Sequence, residues 1–564
     1  MVSKLLKILN KDISGMNQAA LLLGIFSFVS QLFGLLRDHL LASLVGPSSS
    51  LDVYYASFRV PDFIYNSIAV LFSVTVVIPF IAKYLSKTEE DGTQIKKLSN
   101  NLFSVYCAGM VLVSLIAFFL MPYLTHLTAP GFGEVERSSL VFYSRIMLIS
   151  PFLMGLSSLL SSFAQAQKKF FAFAIAPVFY NFGILAGIIF LLPKFGILGV
   201  VLGVVIGAVL YLGIQMPTLA SLKAIPNFIR DIDWRLVKKV VTTSLPRTLA
   251  SSLTNITFII IGAIASLLIS GSISVFQFSY NIQTTPLMII GISYAVAAFP
   301  ALSRLHAEKD HKSFMDMIHR TTRTIIFLSI PVALFMIVLR AQIVRVLLGA
   351  GEFSWNDTRL VAASLALFCL SVTAQCMVLL LVRAFYALGN TKTPLKVNIV
   401  SFFVTVVSAV LLLWAHKESL MFRDFLYDIL RIEGVVGSSV VLLSLAFSIG
   451  QIVNALLLWR ALHRNVKAES IEVTAMNKTI FHTLGASIIA SSVVYGTLSV
   501  IGNGVDQSRF LGVLSQGFVA GIVGVAMYVI VLFSLKNEDI LEVIKTMKSK
   551  FWRAKPVVEE QADL

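Results

Sequence analysis

Ile197-Leu-Gly-Val-Val-Leu-Gly-Val-Val-Ile-Gly-Ala-Val-Leu-Tyr-Leu-Gly-Ile-Gln-Met-Pro-Thr-Leu219 holds no charged residue. A helix needs about 20 such residues to cross the hydrocarbon of a bilayer. The glycines between Leu198 and Gly213 read as helix-packing or hinge positions, where a missing side chain lets two backbones approach. The same signal recurs along the chain, which is 57% hydrophobic and 13% charged with mean hydropathy +0.86. Soluble domains carry about a quarter charged residues. The expected fold class is therefore all-α, a polytopic membrane protein.

A window of about 19 residues places the other spans near Ala19–Leu36, Val60–Tyr84, Leu102–Leu124, Leu140–Ala164, Phe171–Leu192, Leu249–Ser270 and Val275–Leu302. Further spans fall near Thr324–Leu339, Leu360–Leu388, Leu395–Ala415, Val436–Ala461, Thr479–Ile501 and Phe510–Leu535. That makes about fourteen transmembrane helices. Asp231-Ile-Asp-Trp-Arg-Leu-Val-Lys-Lys239 reads as a basic interfacial helix leading into the second half. No cleavable leader is read at the start of the chain.

Charge gives the orientation. Lys96, Lys168, Lys238 and Lys312 stand for a set of basic loops on one side, with roughly thirty Lys and Arg against about ten opposite. Both termini are expected in the cytoplasm, with Ser49, Gly133 and Asn356 outside. The net charge of +16 follows from this bias, so no nucleic-acid partner is needed to explain it. The basic tail from Lys545 to Lys555 is expected to rest on anionic membrane lipids.

An internal repeat runs through the chain at an offset of about 220 residues. Ser57-Phe-Arg59 lines up with Ser279-Tyr-Asn281, and Ile78-Pro79 with Phe299-Pro300. Thr128-Ala-Pro-Gly131-Phe132 lines up with Gly349-Ala-Gly351-Glu-Phe353, and Pro177-Val-Phe-Tyr-Asn181 with Pro394-Leu-Lys-Val-Asn398. Two six-helix lobes of equal orientation suit a transporter that rocks around a site between them. The expected organisation is an N-lobe at 1–219, a C-lobe at 220–462, two further helices within 463–535 and a cytoplasmic tail at 536–564.

The candidate site lies in Leu32-Phe-Gly-Leu-Leu-Arg-Asp-His-Leu-Leu-Ala42 and Leu51-Asp-Val-Tyr-Tyr-Ala-Ser-Phe-Arg-Val-Pro-Asp-Phe63. A charge in hydrocarbon costs about 2.5–3.5 kcal/mol even on the lenient insertion scale. Arg37, Asp38, Asp52, Arg59 and Asp62 therefore need partners or a wet cavity, and the sharper reading is a net cationic cavity for an anionic substrate. Helix ends snorkelling to the interface would also accommodate Arg37 and Asp38. Arg247 and Arg383 either project towards that cavity or anchor the cytoplasmic ends of their helices. Gly34, Gly46, Gly271 and Asn281 are the expected gate and hinge positions.

Other chemistry is missing from the sequence. The eight His residues show no paired spacing, and Cys107, Cys369 and Cys376 lie apart in apolar segments, so no metal site is expected. There is no Walker loop. Asp52 and Asp62 have the chemistry of an acid and a base, but partnering Arg59 accounts for them as well. The chain is not expected to be an enzyme, and no cofactor is implied. Membrane potential or an unidentified ion is left as the energy source.

Phe33-Gly-Leu-Leu-Arg-Asp38, Asp52-Val-Tyr-Tyr-Ala-Ser-Phe-Arg-Val-Pro61, Leu127-Thr-Ala-Pro-Gly-Phe132 and Pro177-Val-Phe-Tyr-Asn181 together resemble the MurJ (MviN) family of lipid II flippases. Phe299-Pro-Ala-Leu-Ser303, Gly349-Ala-Gly-Glu-Phe353 and the run from Phe385 to Pro394 extend the resemblance in order. It implies an exporter fold of two six-helix lobes with a cationic cavity, plus two helices that form a groove for a lipid tail. It also implies a substrate, the undecaprenyl-pyrophosphate-linked peptidoglycan precursor, moved to the outer leaflet of a bacterial inner membrane. This chain departs from the family pattern at Gln31, Tyr65-Asn66, Ala69-Val70-Leu71 and Tyr280-Asn281, where the family commonly has charged residues. The sodium-binding carboxylates described for some members on the seventh and eleventh helices have no counterpart here. Arg37 and Arg59 accordingly carry more of the cationic character.

The leading expectation is a monomeric flippase for a lipid-linked anionic substrate working by alternating access. An exporter of another lipid-linked oligosaccharide or of a small molecule is the alternative. A non-transporting scaffold binding cell-wall synthesis proteins is a third.

Overall fold

A computed structural model describes residues 16–68, 71, 91–167, 169–222, 225–466, 473–506, 509–537 and 539–540. The helices in chain order begin with α1 (Met16–Leu44), α2 (Ser49–Ser57), α3 (Arg59–Ser67), α4 (Asp91–Thr128), α5 (Glu134–Met147), α6 (Ile149–Ala166), α7 (Phe171–Ala186), α8 (Leu192–Phe195), α9 (Ile197–Gly213) and α10 (Met216–Ser221). Then come α11 (Trp234–Ser266), α12 (Ser272–Pro286), α13 (Ser293–Ala307), α14 (His311–Val338), α15 (Arg340–Leu348), α16 (Trp355–Cys369) and α17 (Val372–Ala387). The last are α18 (Lys392–Glu418), α19 (Leu420–Leu430), α20 (Val441–Asn465), α21 (Val473–Gly502) and α22 (Phe510–Ser534). No strand occurs among the described residues.

Ten of the described helical runs are long and apolar enough to cross a membrane, or eleven if α16 and α17 together count as one broken span. The reading Ala19–Leu36 falls within α1 and Leu249–Ser270 overlaps α11, while Val60–Tyr84 lies largely outside the described residues. Lys168 and the basic tail also lie outside them. One expectation is revised. Asp231–Lys239 does not form a separate interfacial helix, because Trp234 to Ser266 is one continuous helix. Asp233 caps it by accepting from the Leu236 amide at 3.3 Å, and its own amide donates to Asn101 Oδ1 at 2.7 Å.

The described residues pack as two compact units. One is drawn from Met1–Thr285, Leu347–Phe368 and Asn390–Leu457, the other from Pro286–Val346, Cys369–Gly389 and Leu458–Leu564. In the first unit, α7 and α9 meet along a seam of glycines. A Cβ on Gly183 would run into the Gly207 backbone, one on Gly187 into Gly203, and one on Gly207 into the Tyr180 carbonyl. Two apolar helices gain little from burying each other in lipid, so close dispersion contact of this kind is what holds them. In the second unit, Tyr528 donates to the Phe327 carbonyl at 2.8 Å, tying α22 to α14. Nearby, Arg323 pairs with Asp539 at 2.8 Å.

Candidate substrate cavity

The first unit encloses a cavity of about 460 Å³, within the ordinary range for small-ligand pockets. The break between α2 and α3 shapes one wall. Phe58 joins the two helices, and Pro61 fits the first turn of α3, where its missing N–H is not needed. This places Arg59, Asp62, Tyr65 and Asn66 along the cavity. α1 contributes Arg37, α7 contributes Tyr180, α11 contributes Asn255 and Phe258, and α12 contributes Gln277, Tyr280 and Asn281.

The two arginines stand in different states. Arg37 donates from Nε to Asp38 at 2.9 Å and pairs with it through Nη2 at 2.8 Å. The other Asp38 oxygen accepts from Asn281 at 2.8 Å, and Asn281 in turn accepts from Gln277 at 2.8 Å. Arg59 ends this chain of contacts with one long bond, Nη2 to Gln277 Oε1 at 3.4 Å, and its guanidinium lies 5.7 Å from the Phe258 ring centre. Its Nε is buried and donates to nothing. Neutral amides also pair across the cavity, with Asn66 donating to Asn255 at 3.4 Å. Where the family resemblance calls for further cations, this chain has Asn66 and Asn281, and both are engaged with other amides.

Asp62 lines the cavity beside Arg59, but the two are not within ion-pair distance among the described residues. Asp38 lies just behind Arg37, its side chain only 4% exposed. Asp52 is placed otherwise. It is buried outside the lining, and its oxygens accept from the amides of Gly271 and Ser274 at 2.7 Å each and from the Ser274 hydroxyl at 2.6 Å. It caps the N-terminus of α12, where free amides and the helix dipole favour a carboxylate.

Of the expected hinges, Gly46 and Gly271 both take left-handed backbone, at φ +65° and +89°. A Cβ at Gly271 would lie 3.0 Å from the Pro47 carbonyl, so glycine is required there for both conformation and space. Gly34 sits inside α1, and a Cβ there would touch nothing within 4 Å. Arg383 is half-buried on α17 of the other unit. Arg247 is on α11, and its side chain lies outside the described residues. The sequence reading missed Tyr180, Asn255, Phe258, Gln277 and Tyr280 as lining residues. The repeat match at Ser279–Asn281 is the signal that points closest to them.

A second hollow of about 20 Å³ lies among Thr254, Thr257, Asn398, Ser401, Gln451 and Asn454, room for a single water. Its lining is neutral, which does not fit a carboxylate-ligated sodium. No group of three or more metal-ligating side chains occurs among the described residues.

The family model described as "Lipid II flippase MurJ" matches residues 41–515. The chain belongs to the MurJ family. It is 26% identical to a "Probable lipid II flippase MurJ" of Rhizobium tropici over 92% of this chain and 94% of that one. It is 25% identical to a "Lipid II flippase MurJ" of Burkholderia cenocepacia over 68% of this chain and 75% of that one. In fold it is similar to a solved "Lipid II flippase MurJ, inward closed conformation", with TM-score 0.71, 20% identity and coverage of 91% and 99%. A multidrug resistance MATE family transporter of the MOP superfamily, solved in an inward-facing conformation, is similar at TM-score 0.61 and 15% identity, with coverage of 80% and 96%. This MurJ-family chain is thus a multi-pass membrane protein of transporter fold.

Proposed function

We propose that this MurJ-family chain moves lipid II, the undecaprenyl-pyrophosphate-linked peptidoglycan precursor, from the inner to the outer leaflet of the bacterial cytoplasmic membrane by alternating access. The observation that carries the reading is Arg59, a partly buried guanidinium on the wall of a cavity of mixed polar and apolar lining, held by one long bond and with its Nε left without an acceptor in the protein. A phosphate oxygen in the cavity would give this guanidinium a charge-assisted bond, and the planar fork suits a pyrophosphate. Asp62 and the amides of Asn255 and Gln277 offer partners for hydroxyl or ammonium groups of the same ligand. The contacts of Asp38 with Asn281, Arg59 with Gln277 and Asp52 with Ser274 join two segments far apart in sequence. These are the contacts that opening the cavity on that side must break. The chain acts as a transporter without catalysis, monomeric, with lobes at 1–219 and 220–462.

Vesicles holding the purified chain test the substrate. Movement of lipid II and not of other lipid-linked sugars is expected; movement of another sugar instead identifies a different exporter, and no movement of any leaves a scaffold. Both termini face the cytoplasm in this reading, so Lys238→Cys labelled from outside intact cells would overturn the orientation.

A further inference from the structure

α18 ends in Trp414-Ala-His-Lys-Glu418, an aromatic followed by charges, the pattern of a span leaving hydrocarbon. A single residue, Ser419, turns the chain into α19, and its hydroxyl caps the new helix by accepting from the Phe422 amide at 3.2 Å. α19 therefore begins at the level of the membrane interface. Its far end is also pinned. Arg431 takes the left-handed conformation at φ +58°, and Arg359 on α16 donates to the carbonyls of Arg431 and Glu433 at 2.8 and 3.1 Å. Tyr427 bonds Ser438 at 2.7 Å and His416 at 3.2 Å. This is a held shelf and not a loose connection.

Most of the side chains from Met421 to Leu430 fall into three arcs, while exposed Leu420 stands apart beyond Asp424. Leu426 and Leu430 are buried against the protein. Next to them, one turn apart from each other, Met421, Phe425 and Ile429 are 85%, 60% and 57% exposed. Beyond these stand exposed Asp424 and Asp428. Half of the apolar arc is thus used on the protein, and the other half is bare and edged by carboxylates. On the preceding span Val407, Leu411 and Trp414 are exposed as well.

We propose that α19 is an interfacial helix whose Met421–Phe425–Ile429 stripe inserts at the boundary between lipid headgroups and acyl chains, with Asp424 and Asp428 held in water. A helix of this kind binds by buried apolar area, and cationic side chains supply any attraction to anionic lipid. The single cation of α19, Arg423, pairs with Asp424 at 3.9 Å, and Asp428 adds a further negative charge, so little attraction to anionic lipid is left and zwitterionic lipid suffices.

The test uses the full chain reconstituted in phosphatidylcholine, with a nitroxide attached to cysteine at 421, 424, 425, 428 or 429 in a background where Cys107, Cys369 and Cys376 are alanine. Labels at 421, 425 and 429 are expected to collide more with oxygen than with a nickel chelate, and those at 424 and 428 the reverse. Variants that keep the parent's melting curve in detergent are the ones compared. Water-like collisions at all five positions would overturn the proposal. So would dipolar broadening at 425 that vanishes on dilution with unlabelled protein, because a second copy would then cover the stripe.

Discussion

Asp52 and Arg59 stand seven positions apart and are both charges placed in an apolar chain, yet the molecule treats them in opposite ways. The corner around Asp52 is closed, since both carboxylate oxygens take donors from the start of α12. The cavity around Arg59 is open, with one long bond to Gln277 and a buried Nε without an acceptor. A buried charge that is fully satisfied holds a structure together. A partly buried charge left short of partners costs stability and is retained where a ligand completes it.

The sharpest way to break this contrast is at the corner. Asp52→Ala leaves two amides and a hydroxyl without their acceptor, at about 1–3 kcal/mol for each buried group. A large drop in melting temperature and in folded yield is expected, with Asp52→Asn intermediate because it keeps one acceptor. Thermal unfolding in detergent measures it. An Asp52→Ala protein as stable as the parent, but unable to bind substrate, would move Asp52 from structure to site.

Arg59→Ala should do the reverse. Loss of a charge-assisted bond to phosphate is worth roughly 1.5–3 kcal/mol, a ten- to hundredfold weakening. The melting temperature should hold or rise, because an incompletely bonded, partly buried cation is removed. Arg59→Lys should restore part of the binding, since a point charge cannot make the forked contact. Gln277→Glu should mimic the loss by giving Arg59 a carboxylate within the cavity, with a gain in stability. Binding to lipid II in detergent, read beside the melting curve, separates these outcomes. A common fall in both quantities for Arg59→Ala would make Arg59 as structural as Asp52.

Much of this arrangement is legible in the amino-acid sequence. Apolar runs announce spans because hydrocarbon tolerates little else, and the glycines of Leu198–Gly213 announce helix packing or a hinge because a missing Cβ has few uses inside such a run, while the partner α7 comes only from the structure. Arg37 and Asp38 are neighbours in sequence, so their pairing follows from adjacency. The role of Asp52 does not, because its donors lie at Gly271 and Ser274, far along the chain, and no local pattern says which distant helix start will meet it. The amide pairs Asn66–Asn255 and Gln277–Asn281 are hidden for a different reason. Set beside the family pattern they look like lost charges, and only their geometry shows that they satisfy one another. α19 gives no signal of its own, since its eleven residues are too short to span and carry mixed charges.

The smallest expected effect is at Gln277→Leu, and it tests how far the two arginines act as one network. The bond from Arg59 is long at 3.4 Å, and neutral amide bonds contribute only about 0.5–1.5 kcal/mol net even at good geometry. Leucine would also remove the donor that Asn281 accepts from, but Asn281 keeps its bond to Asp38 at 2.8 Å, so the Arg37 end of the network stays in place. Stability should therefore change by less than about 1 kcal/mol. Binding should hold or tighten slightly, because a ligand phosphate would no longer displace Gln277 from Arg59. A loss of binding as large as that of Arg59→Ala, with an unchanged melting curve, would mean that Gln277 holds the guanidinium in its working position. The five side chains from Arg37 to Arg59 would then be a single device, and the open character of the Arg59 cavity would depend on the closed chain of bonds behind it.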